Sequence, residues 1–193
     1  MSTNPKDRFE RQAVIWWNPF SHQGKVYDLA HLHPKTVVYQ QAAKGEKPAC
    51  SYTVNVMFGL HCFTRGFPRG AQQPHPALLY ADSREEREFD FQRYELSKRL
   101  PAIVESLPRR KCFHTGKGNF FSIDVVDDQG KHFEYDIFFA ASRSSRGGLN
   151  LFVQSAYVRD PLHASSRPHK KPIAFFVILF NTLHDRPIKP PPK

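Results

Sequence analysis

The sequence is poor in cysteine, with only Cys50, Cys62 and Cys112 among its 193 residues. Their number is odd, their spacing is irregular and no export signal precedes them, which argues against a disulfide framework. We therefore expect the three thiols to be reduced and to lie in the core as small apolar side chains.

Long apolar runs are also missing. The longest, residues 173–180, is far shorter than the roughly 20 residues that cross a bilayer. The N-terminal segment lacks the apolar stretch of a signal peptide. These absences predict a cytoplasmic protein without a membrane partner.

Several signatures of enzyme chemistry do not occur. The chain has no Gly-x-Gly-x-x-Gly, no Gly-Lys-Ser/Thr, no Gly-x-Ser-x-Gly and no His-Glu-x-x-His. Asp124, Asp127 and Asp128 lie close together, but a glycine-ended turn explains the latter two. Nothing in these patterns supports an ATPase or a dehydrogenase, and a two-metal nuclease is disfavoured.

Apolar residues and positive charge are plentiful. The hydrophobic fraction of 40%, with 17 Phe, is enough for a real core and excludes wholesale disorder. The net charge of +10 predicts an anionic partner. We expect a single domain over 1–193, with an N-terminal strand-rich segment (1–83), a helix plus meander (84–185) and a flexible proline-rich tail (186–193).

The C-terminal part carries most of the regular patterns. Residues 52–58 alternate between apolar and polar, as in a half-buried strand, and the pattern continues past Gly59. Further strands are predicted at 120–126, 132–140, 149–158 and 173–183. One helix is predicted within 84–107, where an apolar stripe recurs at helical spacing and Pro101 either kinks the helix or restarts it. The predicted fold class is α+β, an antiparallel β-meander of about four strands packed by one main helix, with an N-terminal strand-rich extension.

Basic residues concentrate in the predicted loops between strands. Flexible cations there can contact phosphates, and aromatic rings such as Phe113 and Tyr157 can stack on unpaired bases. We predict RNA as the partner and assign nucleic-acid contacts to six side chains: Arg65, Lys117, Arg143, Arg159, Lys170 and Lys171.

Metal-independent RNA cleavage is the catalytic chemistry that this composition permits. It needs a base for the ribose 2′-hydroxyl, an acid for the leaving 5′-oxygen and a cation for the phosphate. The predicted catalytic residues are His61, beside Thr64 and Arg65, together with His114 and Tyr157. The alternative is that these histidines are structural.

Histidine and cysteine could also hold a metal. A zinc site would draw on His31, His33, His61 and Cys112. The paired spacing of structural zinc ligands is absent, however, so neither a metal ion nor a cofactor is predicted, and a zinc-stabilised regulator stays a minor alternative.

Several strings resemble a known group of proteins. They are Trp16-Trp-Asn-Pro-Phe20, His31-Leu-His-Pro34, Phe58-Gly-Leu-His-Cys-Phe-Thr-Arg65, Tyr94-Glu-Leu-Ser97 with Leu100-Pro101, Lys111-Cys-Phe113 and Phe152-Val-Gln-Ser-Ala-Tyr157. Together they resemble bacterial stationary-phase growth adaptation proteins. The resemblance implies a bacterial cytoplasmic setting and a link to growth control and stress response, without implying a reaction.

A second similarity concerns the order of elements. A helix followed by a four-strand meander with a basic surface is similar to barnase, EndoU and RelE-type ribonuclease toxins. The leading hypothesis is an RNA-directed growth-control protein acting as a metal-independent ribonuclease toxin. The alternative is a non-catalytic regulator that binds nucleic acid or a protein partner such as an acidic antitoxin.

Overall fold

The protein is dominated by strands, which make up 46% of the structure against 21% for helix. The computed structural model describes residues 15–46, 48–67, 70, 75–116, 119–128, 131–145, 147–158 and 172–189, with the backbone alone described at 125–128 and 131. The strands, in chain order, are β1 Phe20–His22, β2 Lys25–Tyr27, β3 Lys35–Gln41, β4 Cys50–His61, β5 Thr64–Arg65, β6 Leu79–Ala81, β7 Glu86–Phe89, β8 Cys112–His114, β9 Phe120–Asp128, β10 Lys131–Arg143, β11 Leu149–Val158 and β12 Pro172–Ile173. The α-helices are α1 Phe91–Ser97, α2 Leu100–Glu105 and α3 Phe175–Leu183.

One curled, half-barrel sheet organises the molecule. Its strand order is β12-β8-β9-β10-β11-β4-β3. All neighbours run antiparallel except β11 and β4, which are parallel. The other strands given above form two small sheets, with strand orders β1-β2 and β5-β7-β6. Because β3 and β4 come from the N-terminal half, both halves of the chain build the same sheet.

The predicted fold, an antiparallel meander of about four strands packed by one main helix with an N-terminal strand-rich extension, is wrong. Three of its strands are correct, since β9, β10 and β11 cover the segments expected at 120–126, 132–140 and 149–158. The fourth, predicted over 173–183, is mostly helix α3. A short continuous apolar run has the same appearance in a buried strand and a buried helix, so the pattern could not separate them.

The single helix predicted within 84–107 is also wrong. The segment contains β7, α1 and α2, and α2 begins at Leu100 with Pro101 in its first turn. The restart at Pro101, one of the two alternatives left open, is confirmed. Asp90 begins α1 as an N-cap, where its carboxylate accepts the Arg93 N–H at 2.9 Å.

The core lies between one face of the seven-stranded sheet and the helices. Apolar side chains of β4 alternate as predicted, with Tyr52, Val54, Val56 and Phe58 buried. Helix α3 inserts Phe175 against Tyr39 and Phe139, at centroid distances of 5.0 and 6.2 Å. The predicted apolar stripe of α2 faces the same core, because Leu100, Ile103, Val104 and Leu107 are all buried.

The cysteines divide between core and surface. All three are free, and Cys62 and Cys112 are fully buried as predicted. The prediction is wrong for Cys50, which is exposed because it opens β4 beyond the edge of the core. Among the helices that the structure describes, none combines the length and the apolar character needed to cross a membrane.

Candidate functional site

A histidine–carboxylate pair lies at the end of β4. His61 Nε2 donates to Glu85 Oε1 at 2.6 Å, and each side chain is 39% exposed. His61 is the last residue of β4, and Glu85 immediately precedes β7. The carboxylate orients the ring and leaves His61 Nδ1 as the nitrogen that can exchange a proton with a ligand.

Arginine supports this pair from β7. Arg87 Nη1 lies 3.3 Å from Glu85 Oε2, and Arg87 Nε donates to Thr64 Oγ1 at 3.0 Å. Burial raises the pKa of Glu85, but the hydrogen bonds and charges of His61 and Arg87 outweigh it and bring that pKa below its ordinary value. Glu85 is therefore ionised at neutral pH and accepts the hydrogen bond from His61.

A second arginine joins the strand end to Tyr157. Arg93 donates to the carbonyls of His61 and Thr64, at 3.2 and 2.8 Å. Its guanidinium carbon lies 5.3 Å from the centre of the Tyr157 ring, a cation–π contact. Arg93 therefore contacts two of the predicted catalytic residues, the backbone carbonyl of His61 and the ring of Tyr157.

His114 lies elsewhere. Paired residues on neighbouring strands form rows that cross the sheet. One row runs from Phe113 on β8 to His61 on β4, and the adjacent row runs from His114 on β8 to Phe58 on β4. Because adjacent residues of a strand point to opposite faces, His61 and His114 are four strands apart on opposite faces of the sheet. The three predicted catalytic residues do not share a cleft.

The surroundings of His114 are those of a structural histidine. Only 5% of the residue is exposed, Nδ1 accepts the Gly116 N–H at 2.7 Å, and the ring packs edge-on against Phe120. Burial lowers the pKa of His114, and a hydrogen bond to the Ile188 backbone opposes that shift only in part. A neutral ring with both nitrogens committed to the backbone has little capacity for proton transfer.

Two of the six predicted nucleic-acid contacts, Arg65 and Arg143, lie within the described residues. Arg143 ends β10 and is exposed, whereas Arg65 donates from Nε to the buried Glu88 at 3.1 Å while half of its side chain stays exposed. The other four lie outside the described residues: Lys117, Arg159, Lys170 and Lys171.

Aromatic rings form a ladder across β8, β9, β10 and β11. Phe113, Phe121, Phe138 and Tyr157 stack in that order, with successive centroid distances of 5.2, 5.6 and 5.6 Å. Phe121 is only 1% exposed, so at that position the ladder is interior packing and not an open stacking platform. Arg93 covers the Tyr157 end.

The candidate zinc ligands are not brought together. His31 Nε2 is hydrogen-bonded to Ser97 Oγ at 2.7 Å, His33 Nε2 donates to the Trp17 carbonyl at 3.0 Å, and Cys112 is in the core. Within the described ranges, no group of three or more His, Cys, Asp or Glu side chains has the geometry to hold a metal ion.

A second polar cluster lies between α2 and β9. Asp124, considered above as a possible metal ligand, accepts from Arg110 Nη1 at 2.7 Å and from Arg99 Nη2 at 3.0 Å. Sequence reasoning found neither this cluster nor the roles of Glu85 and Arg93. Their partners are 14 to 32 residues away in the chain, and no local spacing indicates such pairings.

The fold and the site define a strand-dominated protein with a mixed seven-stranded sheet and a surface histidine–glutamate pair. The YjaZ family model matches residues 19–183. The chain is also 32% identical over 185 residues to Protein YjaZ of Escherichia coli (strain K12), covering 95% of this chain and 99% of that protein. The chain therefore belongs to the YjaZ family. No solved structure matches it.

Proposed function

We propose that the protein is an RNA-directed growth-control protein acting as a metal-independent ribonuclease, with His61 and Glu85 as its acid–base pair. The observation that carries this proposal is the 2.6 Å contact between two half-exposed side chains, with Arg87 bound to the same carboxylate. The net charge of +10 supports a polyanionic substrate. The link to growth control rests on the resemblance to stationary-phase growth adaptation proteins.

The reaction assigns a role to each side chain at this strand end. His61 Nδ1 takes the proton of the ribose 2′-hydroxyl as its oxygen attacks phosphorus, and Glu85 stabilises the imidazolium that forms. The bond from phosphorus to the 5′-oxygen breaks, and the Tyr157 hydroxyl is the donor assigned to that oxygen. The exposed part of Arg65 contributes positive charge for the phosphate. The products are a 2′,3′-cyclic phosphate and a 5′-hydroxyl.

The test is to incubate purified protein with total RNA in the presence of a chelator and to identify the chain ends of any product. We expect His61→Ala to reduce cleavage by about a hundredfold or more, because general acid–base groups contribute about 10²–10⁴. Glu85→Gln should give a smaller loss. His184→Ala is the matched control, since His184 is exposed at the end of α3. Intact RNA with wild type, or equal cleavage by all variants, contradicts the proposal.

The second candidate is a regulator that binds nucleic acid without cutting it. It is favoured by the separation of His114 from His61, which leaves one predicted acid–base histidine at the site. This candidate predicts RNA binding that weakens steeply with salt and no turnover. Negligible affinity for RNA and DNA at low salt would exclude it and would point to an acidic protein partner.

A further inference from the structure

We propose that the cavity between α2 and β9 is a binding site for a phosphomonoester, with Arg99 and Arg110 as its phosphate ligands. The cavity has a volume of about 380 Å³ and is lined by Arg99, Ala102, Ile103, Ser106, Arg110 and Asp124. That volume is at the small end of the range of about 300–1,000 Å³ typical of ligand pockets. The site lies outside the residues assigned to RNA cleavage.

Asp124 holds the two guanidinium groups side by side. Each of its carboxylate oxygens accepts from a different arginine, Oδ1 from Arg110 and Oδ2 from Arg99. Arg110 is fixed further by Ser106, whose Oγ accepts from Arg110 Nε at 2.6 Å. The cations are therefore oriented before any ligand arrives, which lowers the entropy that binding must overcome.

Most guanidinium N–H groups remain available for a ligand. A guanidinium has five N–H donors. Within the described part of the chain, Arg99 donates only to Asp124, and Arg110 donates only to Asp124 and Ser106. The Arg99 side chain is 47% exposed and that of Arg110 is 26% exposed, whereas Asp124 lies deeper at 13%. The two arginines are thus more accessible to solvent than the carboxylate that joins them.

The charge of the cluster favours an anion. Burial raises the pKa of Asp124, but the hydrogen bonds from Arg110 and Arg99 outweigh that effect and bring it below its ordinary value. With Asp124 ionised, the two arginines leave a net charge of about +1 at the cavity. The neighbouring Arg109 and Lys111 add positive charge to the same stretch of chain.

The geometry of the donors favours phosphate over a carboxylate. Arg99 and Arg110 line the same cavity. Two guanidinium groups together match the several oxygens of a phosphate group, whereas one satisfies a carboxylate. Ala102 and Ile103 provide an apolar wall for the organic part of the ester. The phosphomonoester can come from a free mononucleotide or from the 5′-phosphate end of an RNA.

The experiment measures binding at fixed salt to three probes, 5′-AMP and a decaribonucleotide with either a 5′-phosphate or a 5′-hydroxyl. We expect Arg99→Gln to weaken binding of the phosphomonoester at least tenfold. Lys98→Gln is the matched control, because Lys98 is also 47% exposed but is paired with Glu95 and does not line the cavity. It should change affinity by less than twofold. Arg110→Lys, which keeps the charge and loses the fork, should also weaken binding.

Each outcome either identifies the molecule that carries the phosphate or overturns the proposal. Arg99-dependent binding of 5′-AMP identifies a free mononucleotide, and an Arg99-dependent preference for the 5′-phosphorylated over the 5′-hydroxyl RNA identifies an RNA end. Equal losses in Arg99→Gln and Lys98→Gln, or no binding of any phosphomonoester probe to the wild type at millimolar concentration, overturn the proposal. Thermal unfolding of each variant verifies that the chain is folded. His61→Ala should bind 5′-AMP as the wild type does, which separates this site from the ribonuclease proposal.

Discussion

At the scale of single residues, the buried carboxylate of Glu88 connects two segments of the chain. Glu88 is only 3% exposed, and it accepts the His75 backbone N–H at 2.9 Å and Arg65 Nε at 3.1 Å. The backbone hydrogen bond from His75 lowers the pKa of Glu88, burial opposes this, and the contact with Arg65 lowers it further, so that it ends below its ordinary value.

The lowered pKa of Glu88 predicts a loss of stability in acid. A group whose pKa is lower in the folded than in the unfolded chain stabilises the fold above the unfolded pKa, about 4.3 for Glu, and that contribution disappears as pH falls through the folded pKa. We expect Glu88→Gln to be less stable than wild type at pH 7 and the difference to shrink toward pH 3. Urea unfolding across this range measures it.

Glu86→Gln is the control for Glu88, because Glu86 lies in the same strand and is exposed. It should change stability little at any pH. A difference between Glu88→Gln and wild type that is as large at pH 3 as at pH 7 would contradict the linkage. The same residue limits the RNA-contact role predicted for Arg65, since part of that guanidinium is already bound.

At the scale of elements, the parallel pair β4 and β11 depends on a residue without a side chain. A Cβ at Gly59 would lie 2.9 Å from Phe152 Cζ and 3.0 Å from the Gln154 carbonyl oxygen. The register of the pair shifts between Val153 and Ser155, so Gln154 belongs to an irregularity that a side chain at Gly59 would disturb.

Gly59→Ala should therefore destabilise the protein by about 1–3 kcal/mol, the usual cost of overpacking. The sign of the stability change distinguishes a close contact from open space. Where there is room and the backbone conformation is ordinary, Gly→Ala stabilises a protein by about 0.4–1 kcal/mol, because it restricts the unfolded chain. Gly66→Ala is the control, since its nearest atoms are the Arg87 guanidinium nitrogens at 3.7 and 3.9 Å. Denaturant unfolding compares the two, and equal stabilities would contradict the close approach.

At the scale of the whole molecule, the protein has a net charge of +10, and its basic side chains differ in whether a carboxylate neutralises them. Several cations are held by carboxylates, among them Lys35 with Glu105 and Arg84 with Asp82. Arg143 is exposed at the end of β10. Long-range attraction to a polyanion comes from the excess charge, whereas affinity comes from the cations that reach phosphates.

The proposed RNA binding should accordingly weaken steeply as salt rises, in proportion to the number of phosphates contacted. We expect Arg143→Gln to weaken binding for all sequences and to reduce the slope of log affinity against log salt by about 1. Lys98→Gln, which removes a cation already paired with Glu95, should leave the slope unchanged. Binding titrations at several salt concentrations measure both, and an unchanged slope in Arg143→Gln would remove Arg143 from the interface.

The sequence by itself determined the features that depend on neighbouring residues. The alternation of β4, the strands β9, β10 and β11, the restart of the helix at Pro101 and the burial of Cys62 follow from side-chain periodicity and from the geometry of proline. These features can be predicted from the sequence because a residue's position within its own helix or strand decides whether its side chain faces the core.

Only the tertiary structure decided how the elements meet. The parallel pairing of β4 with β11 joins residues such as Asn55 and Asn150, 95 positions apart, and makes one sheet from segments that looked separate. It also decided that His61 meets Glu85 while His114 lies on the other face. Contacts of this kind depend on the register of distant strands, which local periodicity does not encode, and the candidate functional site is made of them.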